Sequence, residues 1–190
     1  MSSKFYSDFL LETDFAKALY ESSGSLPIID YHSHLPVEVI AKNEHFENIT
    51  DIWIRGDHYK WRAMRLNGIP EAFCSGESND WDKFEAWSNT LPLTIRNPLY
   101  HWSNLELRRY FDIEEKLTPK TAKTIWDKSN EFLKLDSHRP RELLRLANVQ
   151  VLCTTDDPAD SLEHHKKIRS DSFEVKVIPT FRPDLALMID

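Results

Sequence analysis

Three short apolar runs, set apart by chain with a helical pattern, limit what this sequence can fold into more than any other feature. Pro27 opens the first, where Ile28 and Ile29 have the buried-strand pattern and His32-Ser33-His34 ends the run. The second, Val149-Gln150-Val151-Leu152-Cys153-Thr154-Thr155, is short and β-branched. Glu174 to Phe181 makes the third. Between the first and second, everything from Val37 to about Ala147 reads almost wholly helical. Between the second and third lies one helix, through Leu162 and Ile168, opened by Asp156-Asp157-Pro158. After Arg182-Pro183-Asp184 a further helical start runs to Asp190. Strand, helical insertion, strand, helix, strand and helix start form a β/α series. Residues 1–35 are expected to hold an N-terminal helix and the first strand, 36–146 a helical insertion, and 147–190 further β/α units.

The helical signals are local and physical. Thr13 can cap a helix with a Phe15, Ala18, Leu19 stripe that ends before Gly24. Asp57 can cap one running to Asn67-Gly68, with Trp61 and Met64 inward. Asp80 can cap another, with Trp81, Phe84 and Trp87 inward. Asn97-Pro98 is a cap followed by proline at the first helical position, with Leu99, Trp102 and Leu105 as the apolar face. Thr118-Pro119 repeats the device, placing Ala122, Ile125, Trp126, Ser129, Phe132 and Leu133 on one side. Pro140 opens a short helix with Leu143 and Leu144. Such aromatic stripes at helical spacing are core faces.

Composition narrows the function classes. With 190 residues, 41% of them hydrophobic, the chain can bury a substantial core as one domain or one with an insertion. A formal charge of −7 and no basic run argue against a nucleic-acid surface. No apolar stretch approaches the ~20 residues that cross a bilayer. Met1-Ser2-Ser3-Lys4-Phe5 lacks the long apolar region of a secretory signal. Cys74 and Cys153 lie far apart without metal-type spacing and read as ordinary thiols of a reducing compartment. These features suit a cytoplasmic protein.

His32 and His34 carry the first chemical signal. Side chains alternate across a strand, so i and i+2 point the same way. Two converging neutral imidazoles suit zinc, iron, nickel or manganese. With eight histidines in the chain, one such pair arises by chance roughly one time in three, so spacing alone decides little. Position decides more, because the pair ends an apolar strand that Leu35-Pro36 then breaks, and strand C-terminal ends carry the chemistry of parallel α/β barrels.

Five segments together resemble one family. They are Pro27 to Pro36, Gly56-Asp57-His58-Tyr59-Lys60-Trp61-Arg62-Ala63-Met64-Arg65, Arg96-Asn97-Pro98-Leu99-Tyr100-His101-Trp102, Thr154-Thr155-Asp156-Asp157-Pro158 and Phe181-Arg182-Pro183-Asp184. In this order they resemble uronate (glucuronate) isomerases of the metal-dependent amidohydrolase superfamily. Ser33 departs from the pattern, standing where Cys is the more usual residue. The resemblance covers only the family's N-terminal portion. It implies an α/β fold, the first part of a (β/α)₈ TIM-type barrel with a large helical insertion after its first strand.

The resemblance implies a chemistry as well: aldose–ketose isomerisation of hexuronates, D-glucuronate to D-fructuronate or D-galacturonate to D-tagaturonate, through a cis-enediol. His32 and His34 would hold one divalent metal ion, zinc before iron, nickel or manganese, with the family's third ligand an aspartate after the last barrel strand. Tyr59 would be the catalytic proton donor or shuttle and His58 a substrate-binding group, at a helix start whose amides favour anionic oxygen. Arg182 would bind the substrate carboxylate, against the alternative of a surface ion pair with Asp184. Asp156-Asp157-Pro158 reads as a turn and helix opening. His164-His165, adjacent on a helix, reads as solvated surface. The expected partner is the small-molecule hexuronate, with no nucleic acid or membrane, in a homo-oligomer when intact; the isolated chain is expected to be inactive. The alternatives are another amidohydrolase-superfamily hydrolase and a non-catalytic helical interaction fragment.

Overall fold

The computed structural model describes residues 11–157, 159–184 and 187. The start of the chain, Pro158 and most of the helix expected after Asp184 lie outside the described residues. In chain order the elements are α1 (Asp14–Ser23), β1 (Ile28–Ser33), α2 (Val37–Lys42), α3 (Ile49–Trp53), α4 (His58–Leu66), α5 (Glu71–Cys74), α6 (Asp80–Thr90), α7 (Pro98–Phe111), α8 (Ala122–Leu133), α9 (Pro140–Leu146), β2 (Val149–Thr154), α10 (Glu163–Ser170) and β3 (Lys176–Pro179). The chain divides into two compact units, residues 1–17 with 45–138 and residues 18–44 with 139–190. No helix among the described residues is long and apolar enough to cross a membrane.

The first unit is helical, and its caps explain its boundaries. Asp57 accepts the N–H groups of Tyr59 and Lys60, and Asn97 that of Leu99 ahead of Pro98. Asn79, not Asp80, caps α6 by accepting from Asp82; Asp80 is the first helical residue and turns its carboxylate to Asn48 and Arg55. α8 starts after the Thr118-Pro119 signal, because Thr118 and Thr121 bond each other in an intervening turn. Met64, Phe84, Trp87, Leu107, Ile125 and Leu133 form the core of this unit. Trp102, expected inward, is 57% exposed, while Leu99, Leu107 and Phe111 make the buried face of α7. The stripe on α1 also faces out, with Phe15 85% and Leu19 70% exposed.

The second unit is an α/β layer. β1, β2 and β3 form one parallel sheet in that order. Parallel neighbours need crossover connections, and the helical chain between the strands supplies them. Val37, Ile40, Leu144, Leu152, Ile168 and Val175 form the core here. α2 and α9, expected in the helical insertion, thus pack in the sheet unit through their apolar faces. Arg141 fastens that layer, donating to the carbonyls of Ile40 and Ala41 and to Asp171. Both cysteines are free thiols, Cys74 buried and Cys153 half-buried.

Candidate active site

His32 and His34 stand at the C-terminal end of β1, His34 just past its last residue. The strand is irregular there: Asp30 pairs with Leu152 and Ser33 with Thr154, so three steps on β1 oppose two on β2. Such a bulge re-aims side chains. Asp30 Oδ1 accepts the His32 N–H at 3.2 Å, and Ser33, buried, turns its hydroxyl to the Leu35 N–H. The two imidazoles project outward and converge, with Nε2 atoms 3.1 Å apart and rings nearly perpendicular at 77°. One divalent ion can reach both, since Zn–N bonds run about 2.0–2.1 Å; without it, opposite tautomers share a hydrogen bond over the same distance. Among the described residues no third His, Cys, Asp or Glu completes a metal-binding group. The pair fits a metal ion as two of its ligands.

Arg182 belongs to the same unit. Its Nε donates to Asp184 at 2.6 Å, both side chains about half exposed, so the ion pair weighed against a carboxylate clamp is the arrangement adopted. Exposed pairs contribute only about 0–1 kcal/mol, and an incoming carboxylate can compete with it.

His58 and Tyr59 belong to the helical unit. Both are exposed on the first turn of α4, their rings 4.3 Å apart and tilted by 33°. One expectation is corrected here. The second and third amides of α4 are not open to substrate oxygen, because Asp57 Oδ1 takes those of Tyr59 and Lys60 at 2.9 and 3.0 Å. What this turn presents outward is side-chain chemistry, a phenol beside an imidazole.

His165 is the second correction. Adjacent residues on a helix face different ways, and on α10 that puts His165 inward, 6% exposed. Its Nε2 lies 2.8 Å from Thr154 Oγ1 and 3.4 Å from Asp156 Oδ2, so it ties the helix to the end of β2. Burial pushes its pKa down, against the opposing pull of Asp156. The turn itself is made by Asp157, which accepts from Ala159 and donates to Asp160. No periodic signal marks His165; Lys60, three residues after the Asp57 cap, has a helical spacing from which its pairing with that carboxylate could have been read.

A family model for glucuronate isomerase matches residues 1–190. The chain belongs to the glucuronate isomerase family. It is 54% identical over 186 residues to the uronate isomerase of Pectobacterium atrosepticum, covering 96% of this chain and 40% of that protein. It is 53% identical over 182 residues to the uronate isomerase of Bacillus pumilus, covering 95% and 38%. Among solved structures, uronate isomerase from Thermotoga maritima superposes with a TM-score of 0.85 at 36% identity, over 90% of this chain and 38% of that one. Glucuronate isomerase from Caulobacter crescentus gives 0.84 at 26% identity, over 96% and 40%. This glucuronate isomerase family chain therefore spans about 40% of the length of the curated relatives it matches.

Proposed function

We propose that the protein, at its family's full length, is an aldose–ketose isomerase of hexuronates, converting D-glucuronate to D-fructuronate and D-galacturonate to D-tagaturonate. Family membership across residues 1–190 is the observation that carries this reading. The parallel β1-β2-β3 order with helical crossovers supports a (β/α)₈ barrel. The barrel would be that of the amidohydrolase superfamily, and the protein would act in the cytoplasm as a homo-oligomer.

Isomerisation moves a proton from C2 to C1 through a cis-enediol. It needs a positioned acid/base that takes the C2 proton and returns it at C1, a stabiliser for developing oxyanion charge and a clamp for the distal carboxylate. His32 and His34 would hold a divalent ion, zinc before iron, nickel or manganese, which when bound polarises a substrate oxygen. Tyr59 is the proton donor or shuttle: the residue is 57% exposed and its phenol can donate to an enediolate oxygen or pass a proton. His58, in contact with that ring, binds substrate hydroxyls. Arg182 offers a planar fork of donors to the C6 carboxylate, which sets a uronate apart from a neutral aldose.

Incubating D-glucuronate with metal-loaded protein of full family length tests the reading. D-fructuronate should form and no C–N or C–O bond should be cleaved in model amides or esters. Hydrolysis without isomerisation would replace the proposal with the hydrolase alternative.

A further inference from the structure

Consecutive residues of α4 have opposite surroundings. His58 and Tyr59 are exposed, whereas Lys60 is 8% exposed. Lysine is almost never buried unless paired, and Lys60 Nζ lies 2.6 Å from Asp57 Oδ2. The other oxygen of that carboxylate caps the backbone of Tyr59 and Lys60. A single carboxylate thus joins the first turn of the helix to a buried ammonium. Glu106 of α7 is the second acid of the cluster. The residue is half-buried and lies in the field of both Lys60 and Asp57. Enclosure pushes Glu106 up, with Lys60 opposing. The ammonium also stands 6.0 Å from the ring centroid of Trp87.

Removing charges from water costs several kcal/mol per ion, and an apolar residue of similar volume is often neutral or stabilising in such a place. A charged cluster at the base of this turn therefore points away from stability as its use. Gly56 sharpens the geometry: at φ +109° it makes the reversal that sets Asp57 at the helix start.

We propose that Lys60 is a positioning residue for the isomerisation, holding Asp57 so that the first turn of α4 presents the Tyr59 phenol in one fixed direction. The inference rests on the isomerase reading and deepens it. Without the ammonium, Asp57 keeps its two amide donors but loses the charge that balances it, so the half-buried carboxylate turns toward solvent, the cap loosens, and Tyr59 samples several orientations. A misplacement near 1 Å can cost about 100-fold in rate.

A double-mutant cycle in metal-loaded enzyme of full family length is the test, comparing wild type, K60M, Y59F and K60M/Y59F with D-glucuronate. K60M should lower kcat by about 10- to 100-fold while KM stays within about threefold. In the Y59F background the same change should cost less than about threefold, because there is no phenol left to orient. An equal K60M loss in both backgrounds, or none in either, overturns the role of Lys60 while leaving the isomerase reading intact. Y59F at the wild-type rate overturns the role of Tyr59 and that of Lys60 with it. If K60M shows no cooperative melt, D57N replaces it: asparagine keeps a capping oxygen but removes the anion that Lys60 holds. The same non-additivity with Y59F is expected, and an additive loss overturns the proposal.

Discussion

At position 182 a guanidinium already engaged by Asp184 is assigned to a substrate carboxylate. Arg182→Lys keeps the charge and loses the planar fork. In the full-length enzyme kcat/KM for glucuronate should fall by about 5- to 150-fold, the scale of ~1–3 kcal/mol for a hydrogen bond to a charged group. A ratio within twofold would leave Arg182 as the surface partner of Asp184. His165 supplies a pH prediction. Burial lowers its pKa in the folded chain, so the unfolded chain binds the proton more tightly. The stability it contributes is complete above the ordinary histidine value of about 6.5 and is lost as pH falls from there through the folded value. Melting temperature should therefore drop on acidification below pH ~6.5, and His165→Gln should flatten that slope. Equal slopes in the two proteins would contradict the assignment.

Among the elements, the helices owe their starts to single side chains. Asn97→Ala removes the acceptor of the Leu99 N–H from α7, and urea unfolding should show a loss of about 1 kcal/mol. Arg141→Met should cost more, about 2–3 kcal/mol, because it leaves the carbonyls of Ile40 and Ala41 without their side-chain donor, while exposed Asp171 keeps Lys167. Caps of this kind were legible beforehand: Asp57 and Asn97 act as their residue types and spacing predict, and all three strands fall inside the runs that predicted them. Legibility failed where tertiary contacts decide. The Thr118-Pro119 signal lost to a threonine pair that delays α8 by a turn. Apolar spacing on α1 and α7 did not show that Phe15, Leu19 and Trp102 face outward, since periodicity identifies a stripe and not its partner. For His165 the argument that neighbours on a helix diverge was sound, but it excluded only a shared face; burial of one of the pair depends on Thr154, eleven residues earlier. Of the candidate site, the convergence of His32 and His34 followed from strand alternation, whereas the β1 bulge beside them came from pairing with β2.

For the whole molecule, the three-stranded sheet leaves β1 and β3 each paired on one side among the described residues. Ile29 and Tyr31 of β1 are 62% and 80% exposed, on a strand whose backbone can still pair. The 190-residue chain alone should show no turnover of glucuronate above background and should self-associate in size-exclusion chromatography. Measurable turnover by it would show that the groups described above suffice without the rest of the family's length. Metal binding by His32 and His34 underlies the proposed hexuronate isomerisation. Its most direct test is metal content measured alongside glucuronate turnover, in the full-length protein and its His32→Ala/His34→Ala variant after the same exposure to zinc. One divalent ion per chain in the wild type, with both the ion and the turnover lost in the variant, is the predicted result. Undiminished occupancy in the variant would contradict it.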